Sequence, residues 1–101
     1  MASNMHFEKQ AGEAAGRYVA RIDGVDGEAE ITYTVLSTTL ISADHTGAPE
    51  SMRGTGAALA LVERMVADAR QSGFKIQPLC PYVLAQYKRH PDWQDVMTVA
   101  P

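Results

Sequence analysis

The 101-residue sequence predicts an α+β domain: a mixed sheet with antiparallel strands first, a parallel β-α-β crossover next and a helix at the C-terminal end. Three observations carry this reading. Residues 5–46 are rich in alternating apolar and polar positions, interrupted by the turn cluster Asp23-Gly24-Val25-Asp26-Gly27. Arg53-Gly54-Thr55-Gly56-Ala57-Ala58 then opens a long pattern of helical period, closed by Gly73. Residues 74–79 read as a fifth strand that leads through Pro81 into a second helical segment. Strands joined through a helix pair in parallel by a right-handed crossover.

Taken in order, residues 1–4 are expected to carry no structure. Residues 5–10 suit a first strand, and residues 11–16 a turn. Tyr18, Ala20 and Ile22 alternate with Val19 and Arg21 in a second strand. Residues 28–36 contain Ile31, Thr32, Tyr33, Thr34 and Val35, the residue types that fit a pleated, half-buried surface. Ser37-Thr38 turns the chain into a fourth strand over residues 39–46, which Gly47-Ala48-Pro49 ends, because proline cannot donate to a ladder. The helix that follows runs to about Ser72. Leu59, Val62, Val66 and Ala69 are expected on its buried face, with Glu63, Arg64, Asp68 and Arg70 in water. Residues 74–79 make the fifth strand and residues 82–89 the second helix, stopped by Pro91. Trp93 is expected to pin the tail to the sheet, with an extended piece at residues 96–99.

Size and composition bound the function. The chain is long enough for one core, so residues 1–101 form a single domain. No apolar run approaches the length of a membrane span, which argues against a membrane partner, and the N-terminal stretch is not that of a signal peptide. One cysteine excludes an internal disulfide and a cysteine-rich metal site; no metal is expected, and the cytoplasm is the expected setting. A net charge of −3 argues against nucleic acid. Residues 1–52 hold three Lys/Arg against eight Asp/Glu, and residues 53–101 six against four. This asymmetry suits an anionic ligand in the second half and a cationic one near the first, although scatter alone produces such differences.

The chemistry-bearing residues lie in that second half and just before it. Glycines at positions 54 and 56 allow a tight turn with nothing projecting where a ligand would sit. The unpaired N–H groups and positive end of the following helix make a phosphate site, the alternative being a plain turn before a core helix. It is neither a P-loop nor a dinucleotide fingerprint. Cys80, in Pro78-Leu79-Cys80-Pro81, stands at the end of the fifth strand and before a helix N-terminus, a place that favours thiolate. A buried cysteine is also an ordinary small hydrophobe. His45 ends the fourth strand, so a histidine and a cysteine at matching ends of parallel neighbours can pair as base and nucleophile. His45 can equally deprotonate an acceptor amine.

Arg53, Gly56 and Ala58 fit Arg/Gln-x-x-Gly-x-Gly/Ala, which resembles the acetyl-CoA signature of the GNAT superfamily of N-acetyltransferases. His45-Thr46, Pro49-Glu50, Arg53-Gly54-x-Gly56, Pro78-Leu79-Cys80-Pro81, Tyr87 and His90-Pro91-x-Trp93 resemble its small single-domain subgroup of about 100 residues, across roughly residues 5–97. The resemblance implies a minimal GNAT fold without helices between the first two strands, and a splay between strands four and five for the pantetheine arm. It implies acetyl-CoA as cofactor, an amine as acceptor and His45 and Cys80 as the active-site pair. Arg53, Gly54, Thr55, Gly56, Ala57 and Ala58 are then the phosphate loop. Tyr87 stands where larger members place a general acid, or else packs in the core; Lys88 and Arg89 reach the phosphates or are simply solvated. The departures are Gly47-Ala48, where a larger pair is expected, and Ala57-Ala58, where Ile-Gly is common. Direct transfer with His45 as base and a covalent route through Cys80 are both open, as is a non-catalytic CoA-binding or interaction module. A monomer or weak homodimer is expected.

Overall fold

The computed structural model describes residues 4–99. Five strands run in sheet order equal to chain order: β1 (Met5–Ala11), β2 (Ala15–Ile22), β3 (Ala29–Ser37), β4 (Leu40–Gly47) and β5 (Lys75–Pro78). The first four pair antiparallel, and β4 and β5 pair parallel through the crossover helix α1 (Ala57–Ser72). A second helix, α2 (Pro81–Arg89), follows, and a 3-10 turn at Pro91–Asp95 leads to Met97, which bridges Ile76 in parallel. The predicted order of elements therefore stands. The first turn is shorter than expected, because β1 continues to Ala11 and β2 begins at Ala15. The expected absence of structure at residues 1–4 lies outside the described residues for 1–3, while the carbonyl of Asn4 accepts the Asp23 N–H at 3.0 Å.

One face of the sheet is apolar because alternate residues line up across the strands. Phe7 faces Ala20, Tyr18 faces Ile31, and Tyr33 faces Ala43. Onto this face α1 packs Ala57, Leu61, Val62, Met65, Val66 and Ala69, all buried. Leu59 is only partly buried, a correction to the expected stripe: at about 100° per residue it falls at the stripe's edge, and Leu61 and Met65 take the centre. Trp93, Val96 and Met97 close the core beside β5. Arg70 holds the tail from α1, its Nε 2.8 Å from Asp95 and its Nη2 donating to the Asp92 carbonyl.

The other face is held by charge. The Arg17 guanidinium meets Glu28 and Glu30 at 2.6 and 2.7 Å, and Arg21 meets Glu8 and Glu28. These side chains cover Val19, which is fully buried. Among the described residues no helix is long and apolar enough to cross a membrane.

Asp68 does not face water as its place in the pattern suggests. It accepts hydrogen bonds from Tyr18 at 2.6 Å and from Lys9 at 2.7 Å, and the Lys9 ammonium lies over the rings of Tyr18, Tyr33 and Phe74. Burial raises the Asp68 carboxyl, but the bonds from Lys9 and Tyr18 outweigh it and hold it below the ordinary value. A depressed carboxylate stabilises the fold above its unfolded pKa of about 4, and that contribution is lost as pH falls through the folded value. Tyr18→Phe, which deletes a bond to a charged group, is expected to cost about 1.5–3 kcal/mol at pH 7. The gap to wild type should narrow below about pH 4 in urea titrations. A cost that is independent of pH would show that Asp68 does not hold the Tyr18 hydroxyl.

Candidate active site

The phosphate-type loop is anchored at both ends and open in the middle. A 3-10 turn, Glu50–Met52, follows Pro49; Met52 is buried, and the Ser51 hydroxyl donates to the Asp26 carbonyl at 2.7 Å. Gly54 and Gly56 have φ of 79° and 81°, a left-handed conformation that other residues enter only under strain. Gly56 is the N-cap of α1 and brings no side chain to the cap. The Ala57 N–H is taken by Thr55 Oγ1, and the Ala60 N–H by the Gly56 carbonyl. Among the described residues the N–H groups of Gly54, Gly56, Ala58 and Leu59 donate to no protein acceptor. No atom lies within 4 Å of where a Cβ would stand at Gly54 or Gly56, so the cradle is open. The Arg53 guanidinium, exposed beside it, forks onto Glu50 with Nε–Oε2 at 2.8 Å and Nη2–Oε1 at 3.0 Å. Donors without acceptors, a helix dipole and an adjacent arginine suit the pyrophosphate of a nucleotide-type coenzyme.

The second part of the site is where β4 and β5 part. Their ladder runs from Leu40↔Lys75 to Ala43↔Pro78 and stops. The N–H groups of Leu79 and Cys80 both donate to the Ala43 carbonyl, at 3.1 and 2.8 Å, and the chain then turns into α2 with Cys80 as N-cap and Pro81 in the first turn. Beyond Ala43, β4 continues with no partner on the β5 side. This is the splay the sequence led us to expect.

A β-bulge decides which side chain enters that gap. Thr32 pairs with His45 but Tyr33 pairs with Ala43, so Asp44 is an extra residue on β4. Its carboxylate takes the hydroxyls of Thr34 at 2.6 Å and Ser42 at 2.7 Å. The one-residue insertion reverses the alternation beyond it. Thr46, rather than His45, comes into phase with Ala43 and lies opposite Ile31 on the helix-covered face. Thr46 Oγ1 is 3.2 Å from the Cys80 sulfur. The exposed His45 ring lies over Gly47, and among the described residues it makes no side-chain hydrogen bond.

Cys80 is buried, 5% exposed. Burial pushes its thiol up. Hydrogen bonds from the Thr46 hydroxyl and from the Val83, Tyr82 and Thr46 backbone amides more than offset this and leave it below the ordinary value. Tyr87 packs against the core from α2, as the structural alternative had it, and Lys88 and Arg89 are exposed at the end of that helix. His90 donates from Nδ1 to the Gln86 carbonyl and stacks on Trp93 with centroids 4.0 Å apart. A cleft of about 430 Å³ lies elsewhere, between Phe7, Tyr18 and the Leu61, Arg64 and Gln71 side of α1; none of the predicted site residues lines it.

Fold and site now stand beside known proteins. The model of the GCN5-related N-acetyl-transferase family matches residues 17–96, and the chain belongs to that family. It is thus an acetyl-CoA-dependent acetyltransferase by class. Among solved structures it is similar to a GCN5-like protein from Staphylococcus aureus, described as a candidate N-acetyltransferase, with 28% identity over 98% of this chain and 93% of the other, and a TM-score of 0.70. It also shares the fold of a ribosomal-protein-alanine N-acetyltransferase from Brucella melitensis biovar Abortus 2308, at 21% identity, TM-score 0.59, covering 89% of this chain and 66% of that one. No curated protein sequence matches it.

The left-handed glycines carry a local test. Gly54→Ala and Gly56→Ala meet open space, so the cost is backbone strain alone, about 1–2 kcal/mol each, with α1 retained by circular dichroism. Unchanged melting curves for both would show that the loop relaxes out of this conformation.

Proposed function

We propose that this chain transfers the acetyl group of acetyl-CoA to a primary amine, on a small molecule or on a peptide or protein. The observation that carries the reading is the open cradle of unpaired N–H groups beside the gap where β4 leaves β5. The amides of Gly54, Gly56 and Ala58 hold the pyrophosphate, with Thr55 and Ala57 shaping the turn. Arg53 exchanges its carboxylate partner Glu50 for phosphate. From α2, Tyr87 and Lys88 face the coenzyme's path. Acetyl-CoA, when bound, supplies an activated thioester.

The two candidate catalytic residues take separate duties, since the bulge turns them to opposite sides of β4. The Cys80 thiolate attacks the acetyl carbon; a C–S bond forms, the bond to the coenzyme sulfur breaks, and the coenzyme leaves as a thiol once it gains a proton. The acceptor amine then attacks the acetyl-cysteine; the N–C bond forms, the C–S bond breaks to return the thiolate, and the amine proton passes through a bridging water to His45 on the solvent side. In direct transfer the amine attacks the coenzyme thioester itself and His45 acts alone. A free thiol at the site suits a reducing compartment, and we place the protein in the cytoplasm. The charged side chains on the edge strand β1 disfavour edge pairing, in keeping with a monomer or weak homodimer.

Calorimetry with acetyl-CoA should show binding, kept with desulfo-CoA and weakened at least tenfold by Gly56→Glu, which sets a carboxylate among the phosphate donors. Incubation with acetyl-CoA and no amine should add one acetyl mass to the wild type and none to Cys80→Ala. His45→Ala should lose turnover on the order of 100-fold or more while keeping the adduct. Coenzyme binding with no transfer to any amine tested would identify a binding module instead. Turnover in Cys80→Ala close to wild type would select direct transfer.

A further inference from the structure

The thiol of Cys80 lies among hydrogen-bond donors, and a buried neutral thiol needs few of them. The Thr46 hydroxyl is 3.2 Å from the sulfur, where either atom can donate. Cys80 is itself the N-cap of α2, whose first position is a proline with no N–H to give, and no cap hydrogen bond is made by its side chain. Thr46 reaches the sulfur because β4 has lost its β5 partner past Ala43. The Thr46 hydroxyl and the positive end of the α2 dipole thus meet at one atom, and both favour a sulfur anion over a neutral thiol.

We propose that Thr46 is the positioning residue of this site: its hydroxyl, beside the N-terminal end of α2, forms a neutral cradle that orients the Cys80 sulfur and favours its thiolate. This rests on the reading of Cys80 as the acetyl-accepting sulfur, and it replaces His45 as the group that activates it. Among the described residues no charged side chain shares the task. On β4 the Asp44 carboxylate is held by Thr34 and Ser42, and the His45 ring lies over Gly47. On β5 the Lys75 ammonium donates to the Asp95 carbonyl. On α2 Tyr82 and Tyr87 pack on the core, and Lys88 and Arg89 are exposed. The cradle also explains the bulge. Without the extra Asp44, the alternation of β4 would carry His45 into the gap and turn Thr46 away.

The test reads the thiol in the absence of coenzyme and acceptor. The rate of iodoacetamide alkylation is followed against pH for wild type, Thr46→Val, Thr46→Ser and His45→Gln, with folding checked by circular dichroism. In wild type the reaction should titrate below the free-thiol value of about 8.5. Thr46→Val should move the midpoint up and lower the alkylation rate at pH 7 about threefold to tenfold, since a unit of pKa is a factor of ten in thiolate. Thr46→Ser should keep the wild-type midpoint, which separates the hydroxyl from packing, and remains readable if the valine variant fails to fold. His45→Gln should leave the midpoint unmoved. A midpoint shifted by His45→Gln but not by Thr46→Val, or a wild-type midpoint at or above the free value, overturns the cradle. Failure of acetyl-CoA to bind would overturn the proposed function while leaving these midpoints as they are, so the two claims fail separately.

Discussion

The carbonyl of Ala43 accepts two backbone N–H groups, from Leu79 and from Cys80, and the parallel ladder ends there. Most of the candidate site follows from that stop. Because β5 is only four residues long and Pro78 is its last, the chain swings into α2 while β4 runs on paired to β3 only. The swing leaves a gap between two parallel neighbours at their carboxyl ends, where open sheets bind ligands. It also makes Cys80 a helix N-cap, facing the unpaired end of β4. The glycine loop before α1 opens near the same end of the sheet, since α1 starts soon after β4 finishes. The proposed coenzyme cradle and the thiol are therefore products of one topological fact, the crossover from β4 to β5.

The rest of the domain keeps those two strands in place with few resources. Only α1 spans the apolar face over β2 and β3, while α2 and the tail close the end near β5. The opposite face has no helix over β1 and β2 among the described elements, and the ladder of arginines and glutamates there does the covering. Exposed pairs of this kind contribute little each, about 0–1 kcal/mol. Their value here is in the apolar stems that exclude water from Val19 and in matching signs across neighbouring strands. Asp68 ties α1 to the edge of the sheet through Tyr18 and Lys9, a link that spans the first strands and the middle helix.

The sequence was most legible where period and punctuation agree. The Asp23–Gly27 cluster, the Gly73 stop, Pro81 and Pro91 bound the elements within a residue or two, and the crossover rule supplied the parallel pair. The tight turn before α1 was legible because glycine's left-handed freedom is needed at positions 54 and 56. What was not legible was phase. The His45–Cys80 pair was read from matching ends of parallel neighbours, which says nothing of which face each side chain takes; the bulge at Asp44 puts Thr46 beside the thiol. An aspartate in mid-strand, two residues after a serine able to donate to it, was the available signal. Asp68 was misplaced for a related reason: a helical wheel assigns a carboxylate to water without knowing that a tyrosine hydroxyl stands opposite.

The account stands on one spatial claim, that a coenzyme held by the α1 loop delivers its thioester to the gap where Thr46 and Cys80 meet. A crystal structure of the protein with acetyl-CoA and no acceptor measures this directly. The account predicts pyrophosphate oxygens on the Gly54, Gly56 and Ala58 amides, the pantetheine arm between β4 and β5, and the acetyl carbon at or bonded to the Cys80 sulfur. A coenzyme seated in the cleft between Phe7, Tyr18 and α1, or one bound at the loop with its acetyl group turned away from Cys80, would contradict it.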